Sequence, residues 1–289
     1  MSDLWFIDVD GVKLNYVENG SGQPVIFVHG IPMDYRAWDA QMKTLSDSFR
    51  TISYSRRCAF PNTQKDFGNS TVENNANDLA GLVSKIAEGP AHLVGHSYGA
   101  FVAAFCAFKH PELVKSLVLI EPFVPTLLVK NLNSALDKLT LLLRMPSVAL
   151  AAQKLLNGST YPALKELDRG NGENALKIFV NGLQQKKNGF DELPEQAKSI
   201  MQDNKETIKE LTTKFPGFTK KEAAMISPPT LLISGTNTSL ALSKMAEILS
   251  KTIAKSQMTK INNSAHFPQL ENPPDCNPKI KEFLSKQTV

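Results

Sequence analysis

The segment Pro24-Val25-Ile26-Phe27-Val28 has no polar side chain and three β-branched residues in five. It is too short for a helix and has no solvent face, so it reads as a strand buried on both sides. Such a strand needs cover above and below, and a mostly parallel sheet between two layers of helices supplies it. The rest of the N-terminal third keeps that rhythm. Trp5–Val9 and Val12–Val17 read as a hairpin around Asp10-Gly11, a dipeptide suited to the positive φ of a tight turn. Arg50–Tyr54, Ala91–Val94 and Lys115–Ile120 read as further strands. Helical spacing falls between them at Asp34–Leu45, Val72–Ile86 and Ala100–Phe108, with a polar loop over residues 56–71. The alternation returns late, with strands at Thr230–Ser234 and Gln257–Ile261 and helices at Leu240–Lys251 and Asp275–Leu284. The expectation is an α/β fold of about eight strands with helices on both faces.

Between residues 123 and 225 the pattern is helical only, broken by Pro125, Pro146, Pro162, Gly170, Pro194 and Pro216 among others. This predicts a core formed by 1–122 and 226–289 and an inserted all-helical region, 123–225. Within the insertion, residues 186–222 carry eight Lys and seven Asp or Glu, a mixed-sign run that reads as a solvated helix face.

The composition removes several function classes. Thirty-two Lys+Arg against 28 Asp+Glu leave +4 over 289 residues, too little for nucleic acid as the main partner. Cys58, Cys106 and Cys276 are few and far apart, which excludes a disulfide framework or a zinc ribbon and points to a reducing cytosol. Asp3, Asp8 and Asp10 interrupt what an export segment would keep apolar. The most apolar stretch, 126–156, contains Lys130, Asp137, Lys138, Arg144 and Lys154, so no membrane span is expected. No cofactor or metal is implied: no ligand-spaced His, Glu or Cys cluster is visible, and Gly20-Ser21-Gly22 lacks the third glycine of a dinucleotide fingerprint.

The chemistry concentrates at Gly95-His96-Ser97-Tyr98-Gly99, a G-x-S-x-G pattern set between a strand and an apolar helix. A sharp strand-to-helix turn strains the middle residue, and glycines on either side avoid collision with neighbouring chain. Ser97 is thereby presented at the start of a helix whose N–H groups favour negative charge. A serine hydroxyl needs a base to take its proton. Of five histidines, His29 lies in a turn, His92 in a strand, His96 inside the elbow and His110 at a helix end. His266, in the loop Asn262 to Pro268 after the last strand, is the candidate base, because loops at the carboxyl ends of parallel strands face the site.

Taken together, His29-Gly30-Ile31-Pro32, the Gly95–Gly99 elbow, the helical insertion after the sixth strand and the late His266 resemble the α/β-hydrolase fold family over nearly the whole chain. The resemblance implies that the insertion is a cap and that the backbone N–H groups of Ile31 and Tyr98 form an oxyanion hole. It also exposes a departure. The acid in such enzymes usually follows the seventh strand, but Gly235-Thr236-Asn237-Thr238-Ser239 contains no carboxylate. Some members place the acid at the end of the sixth strand, where this chain has Glu121. Glu121 is therefore the candidate third member, and the other reading makes it a strand-end carboxylate bonded to loop backbone.

Two readings also stand for Arg56 and Arg57 after the fourth strand: an anchor for an acidic substrate group, or structural ion pairs with loop carboxylates. His29, Phe123 and Leu127 are candidate pocket residues, with Phe123, Leu127, Leu128 and Leu132 beginning the cap. The function expected is cleavage of a small ester or lactone by a serine hydrolase. Epoxide hydrolases and haloalkane dehalogenases share the architecture but need a carboxylate nucleophile in place of Ser97, and epoxide hydrolases use cap tyrosines, of which only Tyr161 is present. Carbon–carbon bond hydrolases, peptidases and cofactor-free haloperoxidases keep the serine triad, and a ligand-binding protein on the same scaffold is the reading from another class. Oligomeric state is not legible.

Overall fold

The computed structural model describes residues 3–287. Eight strands form one sheet: β1 (Trp5–Val9), β2 (Val12–Asn19), β3 (Pro24–Val28), β4 (Arg50–Tyr54), β5 (Ala91–His96), β6 (Val114–Ile120), β7 (Thr230–Gly235) and β8 (Ser256–Ile261). Their order is β1-β2-β4-β3-β5-β6-β7-β8; β1 and β2 are antiparallel to each other, β2 is antiparallel to β4, and every other pairing is parallel. The hairpin closes at Asp10-Gly11, both at positive φ, as its sequence requires.

Every residue of β3, β5 and β7 is buried. Successive side chains point to opposite faces, so both faces of the central sheet are covered. Val72–Ile86 packs on Tyr98–Lys109, and Asp39–Leu45 packs on Pro273–Ser285. The expected elements are present, with ends shifted by a few residues. The elbow helix begins at Tyr98 rather than Ala100, and a 3-10 turn, Tyr35–Trp38, precedes the helix Asp39–Leu45. The three cysteines are buried free thiols.

Strand order reverses direction between β3 and β5, since β4 lies on one side of β3 and β5 to β8 run outward on the other. In open parallel sheets the crevice at the carboxyl ends of the strands on either side of such a reversal is where ligands bind. Here those ends carry His29–Pro32 and Ser97.

Between β6 and β7 the described chain is helical. It contains Ala135–Arg144, Pro146–Leu155, Tyr161–Asp168, Gly172–Gln184, Glu195–Asp203 and Lys220–Ala223, with a 3-10 segment at Lys205–Thr212. The mixed-sign run at 186–222 departs from the expected solvated face at its centre. Glu210 is fully buried, because Arg56 of the sheet domain reaches it with Nη1 2.8 Å from Oε2, and Ser70 donates to its other oxygen at 2.8 Å. The charge pattern was read on the helix alone, and the partner comes from 154 residues away.

Candidate active site

The elbow follows from sterics. A Cβ on Gly95 would lie 2.6 Å from the Gly99 carbonyl oxygen, and one on Gly99 would lie 2.2 Å from that of Val28. Only glycines let β5 turn into its helix this tightly. The residue between them, Ser97, takes φ 53° and ψ −117°. Ser97 and Glu121 (φ 47°) are the two buried non-glycine residues with positive φ among the described residues; Asp10, Glu88, Gln185 and Asn263 are exposed. Each such position costs about 1–3 kcal/mol and persists only where surrounding structure enforces it. Ser97 is held by its N–H on the Ile120 carbonyl (2.9 Å), and Glu121 by its N–H on the Ile233 carbonyl (2.8 Å). Two strained residues on adjacent strand ends thus face a common centre.

His266 stands between them. Its Nε2 is 2.9 Å from Ser97 Oγ and its Nδ1 is 3.4 Å from Glu121 Oε2. Glu121 Oε1 accepts from the Ser234 hydroxyl (2.8 Å) and the Gly235 N–H (2.7 Å), and Oε2 accepts from the Thr238 hydroxyl (2.6 Å). With His266, four donors converge on a carboxylate that has about four acceptor positions. Thr238 lies in the segment after β7 that lacks an acid, and it serves as a donor to the acid on β6.

The loop carrying His266 is clamped by two residues whose part was not apparent in the sequence. Glu271 Oε2 accepts the N–H groups of Ala265 (3.0 Å) and Phe267 (2.9 Å), one on each side of the histidine. His96 Nε2 lies 2.8 Å from the His266 carbonyl oxygen. Burial and the neighbouring His266 hold the His96 imidazole well below its ordinary range, so it is neutral and gives its ring N–H to that carbonyl. The spacing His266 to Glu271 was the available signal, since a carboxylate five residues on can fold back at the start of a helix.

The turn after β3 is fixed in a similar way. His29 is fully buried, its Nδ1 2.9 Å from the Gly30 carbonyl oxygen and its Nε2 accepting the Arg56 N–H at 2.9 Å. Burial and the Arg56 charge hold it well below the usual imidazole range, which matches one protonated and one accepting nitrogen. Among the described residues, neither the Ile31 N–H nor the Tyr98 N–H donates to a backbone or side-chain acceptor. Tyr98 is the first residue of its helix, where no intrahelical acceptor exists.

Both arginines after β4 are in ion pairs. Arg57 grips Asp78 with two contacts of 2.8 Å, and Arg56 pairs with Glu210 and lies 4.8 Å over the Tyr98 ring. Of the other expected pocket residues, Leu127 is in the hydrophobic core and Phe123 is half-buried with its ring 5.9 Å from Phe215 of the insertion. Among the described residues no group of three or more His, Cys, Asp or Glu side chains is placed to hold a metal ion.

Curated relatives include the 2-(acetamidomethylene)succinate hydrolase of Mesorhizobium japonicum, 37% identical over 122 residues, 42% of this chain and 44% of that protein. Epoxide hydrolase 1 of Caenorhabditis elegans is 24% identical over 98% of this chain and 70% of its own length. The chain's match thus spans less than half of the first of these relatives. Among solved structures, an esterase from Thermogutta terrifontis with malate bound has a TM-score of 0.66 at 24% identity over all of both chains. The epoxide hydrolase CorEH has a TM-score of 0.74 at 20% identity over 99% of each. At these identities the likeness is one of fold. The family model described as alpha/beta hydrolase fold matches residues 23–273, and the chain belongs to that family.

Proposed function

We propose that this protein is a serine hydrolase that cleaves a carboxylic ester or lactone of a small, largely apolar substrate through an acyl-enzyme. The observation that carries the reading is the line Ser97 Oγ, His266 Nε2, His266 Nδ1, Glu121 Oε2, at 2.9 and 3.4 Å, anchored on two strained backbone positions. Family membership and the hydrolases among its relatives support it.

In this mechanism His266 takes the Ser97 proton as Oγ attacks the substrate carbonyl, and Glu121 orients the ring and balances the imidazolium. The carbonyl oxygen becomes an oxyanion between the Ile31 and Tyr98 N–H groups, which have no competing acceptor among the described residues. His266 returns the proton to the leaving alcohol. Water then attacks the acyl group by the same steps, releasing the acid and regenerating Ser97. The helical insertion 123–225 acts as the cap over this site, with Phe123 and Phe215 meeting beside the elbow.

Relatives also include epoxide hydrolases. That chemistry needs a carboxylate nucleophile where this chain has Ser97, and Tyr161, the tyrosine of the insertion, is exposed. Ester cleavage is therefore the reading we adopt.

The test is hydrolysis of p-nitrophenyl esters of graded acyl length by the wild-type protein, Ser97→Ala and Glu121→Gln, each checked for folding by circular dichroism. Ser97→Ala should lose turnover by about 10⁴-fold or more, together with labelling by a fluorophosphonate. Glu121→Gln should lower kcat by about 10³–10⁴-fold. Unchanged turnover in Ser97→Ala would overturn the proposal, and Glu121→Gln within threefold of wild type would remove Glu121 from the mechanism.

A further inference from the structure

We infer that the leucine face of the helix Ala135–Arg144, in the insertion, docks on an anionic lipid surface. The helix is amphipathic in the wrong sense for a packing helix. Leu136, Leu139 and Leu143 are 71%, 51% and 75% exposed, and Leu142 between them is exposed as well. At 3.6 residues per turn these four form one stripe. The opposite side carries Thr140, Arg144, Asp137 and Leu141, of which Leu141 alone is buried. The next helix, Pro146–Leu155, adds Leu150, also exposed. A contiguous apolar face of this kind marks an interaction surface.

The charges around it select the occupant. Residues 130–154 hold four cations, Lys130, Lys138, Arg144 and Lys154, against one carboxylate. All four cations are exposed, and among the described residues none forms an ion pair. The carboxylate, Asp137, lies on the side of the helix away from the leucines and accepts the Asn131 N–H at 2.8 Å. Lys154 stands one helical turn from Leu150 on the same side. An apolar stripe with unpaired Lys138 at its edge and three further unpaired cations on the same two helices and their lead-in is complementary to a surface that offers negative headgroups over an apolar interior. A second copy would instead set these cations against their equivalents, with no carboxylate on the leucine side to offset the repulsion. Among the described residues no helix is long and apolar enough to cross a membrane, so the contact is peripheral.

The test is co-sedimentation of the full chain with phosphatidylglycerol vesicles and with phosphatidylcholine vesicles, at low and high salt. Two double variants are run beside it: Leu139→Gln with Leu143→Gln, and Lys138→Glu with Arg144→Glu. Binding to phosphatidylglycerol should exceed binding to phosphatidylcholine by at least about tenfold, and each double variant should lose at least about tenfold. High salt should weaken binding. Thermal melting checks that the variants fold. No binding to phosphatidylglycerol, equal binding to both vesicles, or a concentration-dependent dimer abolished by the leucine variant would each overturn the proposal.

Discussion

The two ends of the helical insertion are attached to the sheet domain in opposite ways. Its later part, Glu195 to Thr212, is bolted down by polar and charged groups. Asn204 donates to Asp34 (2.7 Å) and accepts the Phe60 N–H (2.8 Å), Asp203 meets Arg36 at 2.8 Å, and Glu210 is buried against Arg56. The earlier part, Ala135 to Leu155, makes no such bond to the sheet domain among the described residues and leaves leucines in solvent. The bolts land on the strand ends that shape the site: Asp34 follows the Ile31 turn, and Arg56 donates to the His29 carbonyl (3.1 Å) while stacking on Tyr98. Polar anchoring therefore serves geometry where geometry matters, and apolar surface is left where a partner can take it. A buried ion pair contributes little net stability but is costly to break, so it holds one arrangement rather than deepening the fold.

The sharpest way to break this contrast is Glu210→Gln, which leaves the Arg56 charge buried. Denaturant unfolding should show a loss of about 3–5 kcal/mol. A loss under 1 kcal/mol would mean that the anchoring lies elsewhere.

Acid should also lower stability, through a buried group outside the insertion. Burial, with the Lys115 charge, pushes the His92 imidazole down to about 4 from its ordinary 6.5. The unfolded chain then binds a proton from pH 6.5 downward while the folded chain does not until about pH 4. Stability present at neutral pH is lost over that window, by about 3 kcal/mol for this histidine. Thermal melts from pH 7 to 4 should show the fall, and His92→Gln should make it shallower without abolishing it, because the buried His29 and His96 imidazoles are also held below their ordinary range and add to the same loss. Hydrogen exchange at both pH values should still find 135–155 opening before 195–212; a reversed order would undo the comparison.

Asn204→Ala removes three side-chain bonds, two of them to the sheet domain, and leaves the Phe60 N–H and one Asp34 oxygen without that partner. The expected cost is about 1–3 kcal/mol, with faster exchange confined to 195–212 and the turn after β3. Smallest of all, Leu139→Gln with Leu143→Gln should move stability by no more than about 0.5 kcal/mol, because exposed side chains have few contacts to lose. A larger loss would show that those leucines are packed in solution.

The places where sequence reading stopped follow the same physics. The strands were legible because their residues must face two covers, and the elbow because only glycine tolerates its two close approaches. Ser97 could be named from its motif and His266 from its loop after the last strand, while Glu121 became a candidate only through the family resemblance, which allows the acid at the end of the sixth strand. His96 and Thr238 could not, because their roles are bonds to particular atoms of other loops, and Glu271, which bonds within its own loop, left only its spacing from His266 as a signal. The solvated reading of 186–222 failed at Glu210 for the same reason, as charge periodicity carries no information about a partner in another element.

The sequence by itself determined the sheet, its flanking helices, the turn that strains Ser97 and the helical nature of residues 123–225. These depend on local sterics and on which side chains can face water. Only the tertiary structure decided that Glu121 and His266 meet, that Arg56 and Glu210 neutralise each other in the interior, and that the leucines of Ala135–Arg144 face outward. Such pairings depend on distances between segments far apart in the chain, set by the packing of the whole.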